Sequence, residues 1–184
     1  MIQKGSPNKG ECIMHYYKQD RIVTYHALVG KQCLLADERD KWRLLQSIAS
    51  CSRAKSWFVY AFCLTDEGIY VLTESDSHTQ VQADLRRAVE ELPRAEIQSG
   101  GEEELDSLQE IAECCRRIHR IPLERGYVRH IGDYWWSSYV TYIGSYEWQM
   151  VDCRALSLYF LVNLKDSRCH LQWIPDKSEQ EEIE

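Results

Sequence analysis

Three features of the sequence predict an α+β domain of the ferredoxin-like kind: a β-branched opening strand, an amphipathic helix behind it, and two apolar runs broken by a short polar turn. The predicted order is strand, helix, strand, strand, helix, then an undecided strand and a third helix. That is the split βαβ pattern, an antiparallel sheet with its helices on one face. An aromatic-rich helical segment follows it.

Arg21-Ile-Val-Thr-Tyr-His-Ala-Leu-Val-Gly30 is rich in β-branched and aromatic residues and closes on Gly30, which reads as the first strand. Asp37 to Lys55 places Trp42, Leu45, Ile48 and Ala49 at helical spacing behind acidic residues, the mark of a helix N-terminus. Trp57 to Leu64 is nearly continuous in apolar residues, Asp66-Glu67-Gly68 interrupts it, and Ile69 to Thr73 resumes, so the two runs form a hairpin of buried strands. Val81 to Leu92 sets Val81, Leu85, Ala88, Val89 and Leu92 on one face and ends at Pro93. The following stretch is polar with a Gly100-Gly101 pair, and Ile97 centres at most a brief edge strand. Leu105 to Ile121 gives a third helix, ended by Pro122. From Tyr127 to Trp173 aromatic residues concentrate around short helical stretches, a composition that packs over an existing core.

A chain of 184 residues with 44% hydrophobic and 11% aromatic content can bury one ordinary core. The expected divisions are a loose leader at 1–12, the ferredoxin-like domain at 13–121, the aromatic segment packed on it at 122–175, and an acidic tail at 176–184. The tail holds five acids against one Lys, −4 of the formal net charge of −7. No run approaches the roughly 20 apolar residues of a membrane span, and the opening residues lack the apolar stretch of a signal peptide, so no membrane partner and a cytoplasmic location are expected. The eight cysteines are scattered without the close pairing of a secreted scaffold and read as reduced, packed thiols. An acidic balance weakens nonspecific nucleic-acid binding unless basic residues are locally concentrated.

Two stretches carry a resemblance. Arg117-Ile-His-Arg-Ile-Pro-Leu-Glu-Arg-Gly-Tyr-Val128 is followed by Asp133-Tyr-Trp-Trp-Ser-Ser-Tyr139 and Tyr142-Ile-Gly144. Upstream, Tyr25-His26 lies on the first strand, Asp37-Glu-Arg-Asp40 opens the first helix, and Tyr60-Ala-Phe-Cys-Leu64 leads into Val71-Leu-Thr-Glu74. The downstream stretch resembles the Tyr-Ile-His-Leu-Asn-Pro-Val-Arg-Ala-Gly element, the Asp-Tyr-Pro-Trp-Ser-Ser-Tyr and the Tyr-Leu-Gly of the REP-associated tyrosine transposases, members of the single-strand DNA transposases with a His-hydrophobic-His motif. The upstream stretch is similar to that family's opening strand, first helix and metal-bearing hairpin.

The resemblance implies a divalent metal, held by two His at i and i+2 on one strand, that polarises the scissile phosphate while a helix-borne Tyr attacks it. At the matching positions this chain has Gly68 and Tyr70, and the Pro-Asn that precedes the motif is Asp66-Glu67. The nucleophile position falls on Glu110 or Ile111, and no Tyr occurs from Val71 through Gly126. The insert between the second and third helices is shortened to Pro93 to Glu104. The resemblance therefore implies a degenerate member: no catalytic residues, no metal and no cofactor, the ancestral Mg/Mn site having been lost.

Arg116, Arg117, Arg120, Arg125 and Arg129, with His130 beside them and Tyr127 and Tyr134 interleaved, form the densest basic stretch and are the expected DNA contacts. A solvated helix face paired with Glu110, Glu113 and Glu124 is the rival reading of the same residues. Arg53, Lys55, Arg86 and Arg87 are weaker candidates. Asp66, Glu67 and Glu74 offer oxygen ligands, but acids at a hairpin are ordinarily solvated. Cys115 and His119 stand at i and i+4 with Cys114 adjacent, a spacing that holds metals but with two ligands favours packing. His26 reads as a half-buried strand histidine, and Tyr70 as a packed tyrosine rather than a relocated nucleophile. The expected partner is single-stranded or hairpin DNA. A protein partner follows from the second reading, an interaction module without DNA binding. The third, a still-active transposase, requires metal near Glu67 or His26.

Overall fold

The computed structural model describes residues 21–30, 34–35, 37–93, 96–153 and 156. The expected leader, the acidic tail and Tyr159, Phe160 and Trp173 lie outside the described residues. Four strands, β1 (Ile22–Gly30), β2 (Phe58–Leu64), β3 (Gly68–Ser75) and β4 (Ile97–Leu105), form one antiparallel sheet in the order β2-β3-β1-β4. The helices are α1 (Glu38–Lys55), α2 (His78–Glu90), α3 (Leu108–Glu124) and the single turn α4 (Tyr139–Tyr142), with a 3-10 turn at Ile131–Asp133. This is the ferredoxin-like order.

β1 sits in the middle because its apolar, β-branched residues can be buried on both faces, and it pairs along its length with β3 and β4. β3 is buried at every position. The nine-residue β4 corrects the expectation of a brief strand at most around Ile97. Gly100, Gly101 and Glu102 to Glu104 have poor strand propensity, but the backbone of β1 supplies the ladder and the acidic side chains stay exposed on a sheet edge.

The alternation of β4 also shows where the helices lie. Glu104 meets His78 of α2 at 3.2 Å, whereas the adjacent Glu103 meets Arg117 of α3 at 3.2 Å. Neighbouring strand residues point to opposite faces, so α3 covers the face opposite α2. α1 and α2, the two helices internal to the ferredoxin-like unit, share their face and are joined by Lys55 to Asp84 at 2.5 Å. α3 is appended after the last strand and closes the other side, which corrects the expectation of helices on one face only.

Helix boundaries differ from the sequence reading for local reasons. α2 begins one turn early, at His78, because the Ser77 side chain accepts from the Gln80 N–H. α3 begins at Leu108, since Leu105 ends β4, and its start is a capping box in which Ser107 and Glu110 each accept from the other's backbone N–H. Pro122 does not end α3 but lies inside its last turn, followed by Leu123 and Glu124.

The aromatic segment holds less helix than expected among the described residues and acts as a clamp on the outer edge of β2. Ser137 bridges Cys63 antiparallel and Val151 bridges Val59 parallel. The Leu64 N–H donates to the Trp136 carbonyl at 2.8 Å, Ser138 N–H to the Phe62 carbonyl at 2.9 Å, and Asp152 N–H to the Val59 carbonyl at 2.8 Å. A register shift at Tyr60 turns its carbonyl toward the hydroxyl of Tyr142, which donates at 2.9 Å. Tyr134, Trp136, Tyr139 and Trp148 are buried, as expected of rings laid over a core. No helix of the described residues is long and apolar enough to cross a membrane.

Replacing Ser107 with Ala removes one half of the capping box. Urea unfolding is expected to show a loss of about 1 kcal/mol with an unchanged slope.

Candidate nucleic-acid interface

The sheet face under α3 is built from Tyr25 on β1, Tyr70 on β3 and Glu103 on β4, which the register aligns on one side of the pleat. α3 lays two guanidiniums over it. Arg117 stands 4.9 Å from the centroid of Tyr25 and pairs with Glu103 at 3.2 Å. Arg125, at the C-cap, stands 5.4 Å from the centroid of Tyr70, donates to its hydroxyl at 2.6 Å, and pairs with Glu67. Each cation thus has an aromatic face beneath it and a carboxylate beside it.

Gly68 and Tyr70 are fixed differently. A Cβ at Gly68 would lie 2.3 Å from the carbonyl oxygen of Leu28 and 3.1 Å from the Cα of Val29. The obstruction is backbone, so position 68 has no room for any side chain, a ligand included. Tyr70 is buried, and desolvation with the nearby Tyr25 raises its pKa to about 12, so it gives up its proton less readily than an exposed tyrosine.

Glu110 and Ile111 lie elsewhere. Glu110 is committed to the cap of α3, where the bonds it receives from Ser107 and Asp106 lower its pKa, and Ile111 is buried in the core. At 1.5 Å per residue, Glu110 is about 22 Å along the helix from Arg125. The positions matched to the metal strand and to the nucleophile are not brought together.

The other candidates resolve into packing and ion pairs. Asp66 holds Lys41 at 2.7 Å, Glu67 holds Arg125, and Glu74 holds Arg21 at 3.3 Å and the hydroxyl of Tyr60. Cys115 lies 3.9 Å from Nδ1 of His119, whose Nε2 is 2.8 Å from the Ser138 hydroxyl. His119 therefore fastens α3 to the C-terminal clamp, with the rings of Tyr139 and Tyr142 at its edges. Burial raises the Cys115 thiol to about 12, and Cys114 turns instead toward Arg117 at 3.6 Å. Among the described residues no three His, Cys, Asp or Glu side chains converge as a metal-binding group.

Of the remaining arginines, Arg120 pairs with Glu124 at 3.2 Å along the helix and Arg129 is exposed beyond its end. Arg87 lies 3.9 Å from Asp84. His26 is fully buried on the α2 face, not half-buried, with Nε2 3.1 Å from the Thr73 hydroxyl and no partner for Nδ1 among the described residues. Sequence reasoning missed the tyrosine–arginine stacks, which no local pattern signals, because Tyr25 and Tyr70 lie on strands far along the chain from Arg117 and Arg125.

In architecture the chain is similar to a solved REP-associated tyrosine transposase bound to a REP hairpin. The two superpose with a TM-score of 0.58 at 13% identity, over 76% of this chain and 93% of the other. That likeness shows a shared fold at a distance, and it is the fold that the sequence resemblance implied. No family model matches the chain, and no curated protein matches it.

Two outcomes check this geometry. Gly68→Ala drives a methyl into the backbone of β1 and is expected to cost roughly 3 kcal/mol by urea unfolding, at the upper end for overpacking. Burial, with His78 nearby, lowers the pKa of His26 to about 4. Because the folded value is depressed, the contribution of a neutral His26 is whole above pH 6.5 and is lost as pH falls toward 4, roughly 3 kcal/mol in all. A His26→Gln variant should flatten that limb of the stability profile measured from pH 7 to 4; an unchanged limb would place its cause elsewhere.

Proposed function

We propose that the chain is a transposase-like DNA-binding module, a degenerate relative of the REP-associated tyrosine transposases that holds single-stranded or hairpin DNA without cutting it. One observation carries this reading: the guanidiniums of Arg117 and Arg125 stand over the sheet face where the resemblance puts the metal. A cation at that place still attracts a phosphate, but Arg has no open coordination position and activates no nucleophile. The blocked position 68, the burial of Tyr70 with its hydroxyl held by Arg125, and the capping role of Glu110 support the loss of strand cleavage. In this reading Arg116, Arg117, Arg120, Arg125 and Arg129 contact phosphates, and Tyr127, whose ring lies 5.7 Å from Tyr134, offers a stacking surface.

A second reading, a protein-interaction module, is favoured by the pairing of Arg117 with Glu103 and of Arg125 with Glu67 and by the acidic edge of β4. Titration of the full chain against a labelled hairpin-forming single strand, at low and moderate salt and with Mn²⁺, separates the two. Salt-sensitive binding without a covalent adduct is expected, and Arg129→Gln should reduce the slope of log K against log salt by about 1. No binding at low salt leaves the interaction reading, and a metal-dependent covalent adduct overturns the loss of chemistry.

A further inference from the structure

Three of the large apolar side chains that remain exposed, Trp42 at 41%, Trp135 at 40% and Tyr146 at 37%, belong to one aromatic cluster. Trp148 joins them, 5.4 Å from Trp42, 4.9 Å from Tyr146 and 5.9 Å from Trp135. Beside the cluster runs a groove of about 500 Å³ between α1 and residues 146–150. Trp42, Leu45 and Ala49 form one wall; Tyr146, Trp148 and Met150 form the other.

The groove lies away from α3. Trp148 packs on Phe62, which pairs with Val71, which in turn pairs with His26, so this is the face of the sheet under α1 and α2. Its polar groups are specific in kind. Gln46 and Gln149 each offer a donor and an acceptor, as the edges of bases require. Arg53 lines one end, and Arg39, exposed almost four turns earlier on the same helix, extends the row of Trp42 and Gln46 about 21 Å from Arg53. Glu147 is the acid among the lining residues. Exposed rings between two arginines complement a chain of bases carried on phosphates, whereas a neutral proline-rich strand would have no use for the arginines.

We infer that this groove is a second nucleic-acid site, in which unpaired bases of a single strand stack on Trp42 and Tyr146 while Arg39 and Arg53 meet the flanking phosphates. The inference rests on the DNA-binding reading above and extends it to the opposite face of the sheet. The C-terminal clamp links the two places, since it contacts α3 at Ser138 and lines the groove at Trp148.

The test measures affinities of the full chain for a blunt hairpin, for the same hairpin with an unpaired oligothymidine extension, and for oligothymidine alone, together with tryptophan fluorescence and an oligoproline control. The extension should raise affinity about tenfold or more and quench tryptophan emission. Trp42→Ala and Tyr146→Ala should each abolish the gain, and Arg53→Glu should reduce it. Should Trp42→Ala not fold by circular dichroism, the exposed positions Tyr146 and Arg53 decide. Extended and blunt hairpins binding alike would overturn the inference and leave the DNA-binding reading standing. Oligothymidine binding that needs Trp42, with no affinity for the blunt hairpin, would support the groove and overturn the α3 contacts. No binding of any strand overturns both, and quenching by oligoproline alone assigns the groove to a peptide instead.

Discussion

The backbone of β1 constrains the rest of the molecule, because it is paired on both edges and its alternation decides what each face of the sheet presents. Tyr25 points toward α3 and His26 toward α2, one residue apart and in opposite chemical settings. The first lies beneath a guanidinium, and the second is held neutral by burial. The same backbone passes so close to Gly68 that the hairpin entering β3 cannot carry a side chain there. Position 68 is therefore closed by the path of the neighbouring strand as well as by its identity.

The second structural dependence is the clamp on β2. An edge strand with free N–H and C=O groups invites further pairing, and here the segment around Trp136 to Asp152 satisfies that edge with its own backbone. His119 fixes the clamp from the helix side through Ser138, which also accepts from the Phe62 N–H at 2.9 Å. The helix that carries the arginines, the strand pair beneath it and the aromatic segment are thus joined through one buried hydroxyl. The expectation that the C-terminal aromatics pack over the core holds for Trp136 and Trp148, which are buried, while Trp135 and Tyr146 are left at the surface.

Much of this was legible in the sequence, and the exceptions have physical causes. β1 announced itself through β-branched and aromatic composition, β2 and β3 through nearly continuous apolar runs, and α1, α2 and α3 through apolar residues at helical spacing, since burial favours each pattern. β4 did not, because an edge strand with solvated side chains needs only a backbone partner, and Gly-Gly-Glu-Glu-Glu carries no apolar pattern to read. Pro122 misled for a related reason: a proline in the last turn forfeits few helical bonds and can be carried there. At the site, the basic stretch was visible in the sequence and the departures at positions 68, 70, 110 and 111 through the resemblance alone, but the partners were not. Glu67 and Arg125 are 58 positions apart, and the meeting of Arg117 with Tyr25 depends on a crossing that no local pattern records.

The carboxylates beside Arg117 and Arg125 bear on how those residues could serve a polyanion. An exposed ion pair is worth at most about 1 kcal/mol, because water solvates both partners nearly as well as they solvate each other. Arg117 and Glu103 are each more than half exposed as side chains, so that pair can open at little expense when a phosphate offers a charge-assisted alternative. Arg125 is held more firmly, since the hydroxyl of Tyr70 fixes one of its nitrogens independently of Glu67. The two arginines therefore have separate physical parts: Arg125 is a preset charge over Tyr70 of β3, and Arg117 is an exchangeable one. In the DNA-binding reading proposed above, Glu67 in the turn before β3 and Glu103 on β4 would also set a threshold. A single phosphate displacing one carboxylate would gain little, whereas under that proposal a strand engaging the whole row of α3 would displace them together and release its own counterions, favouring long polyanions over isolated ones.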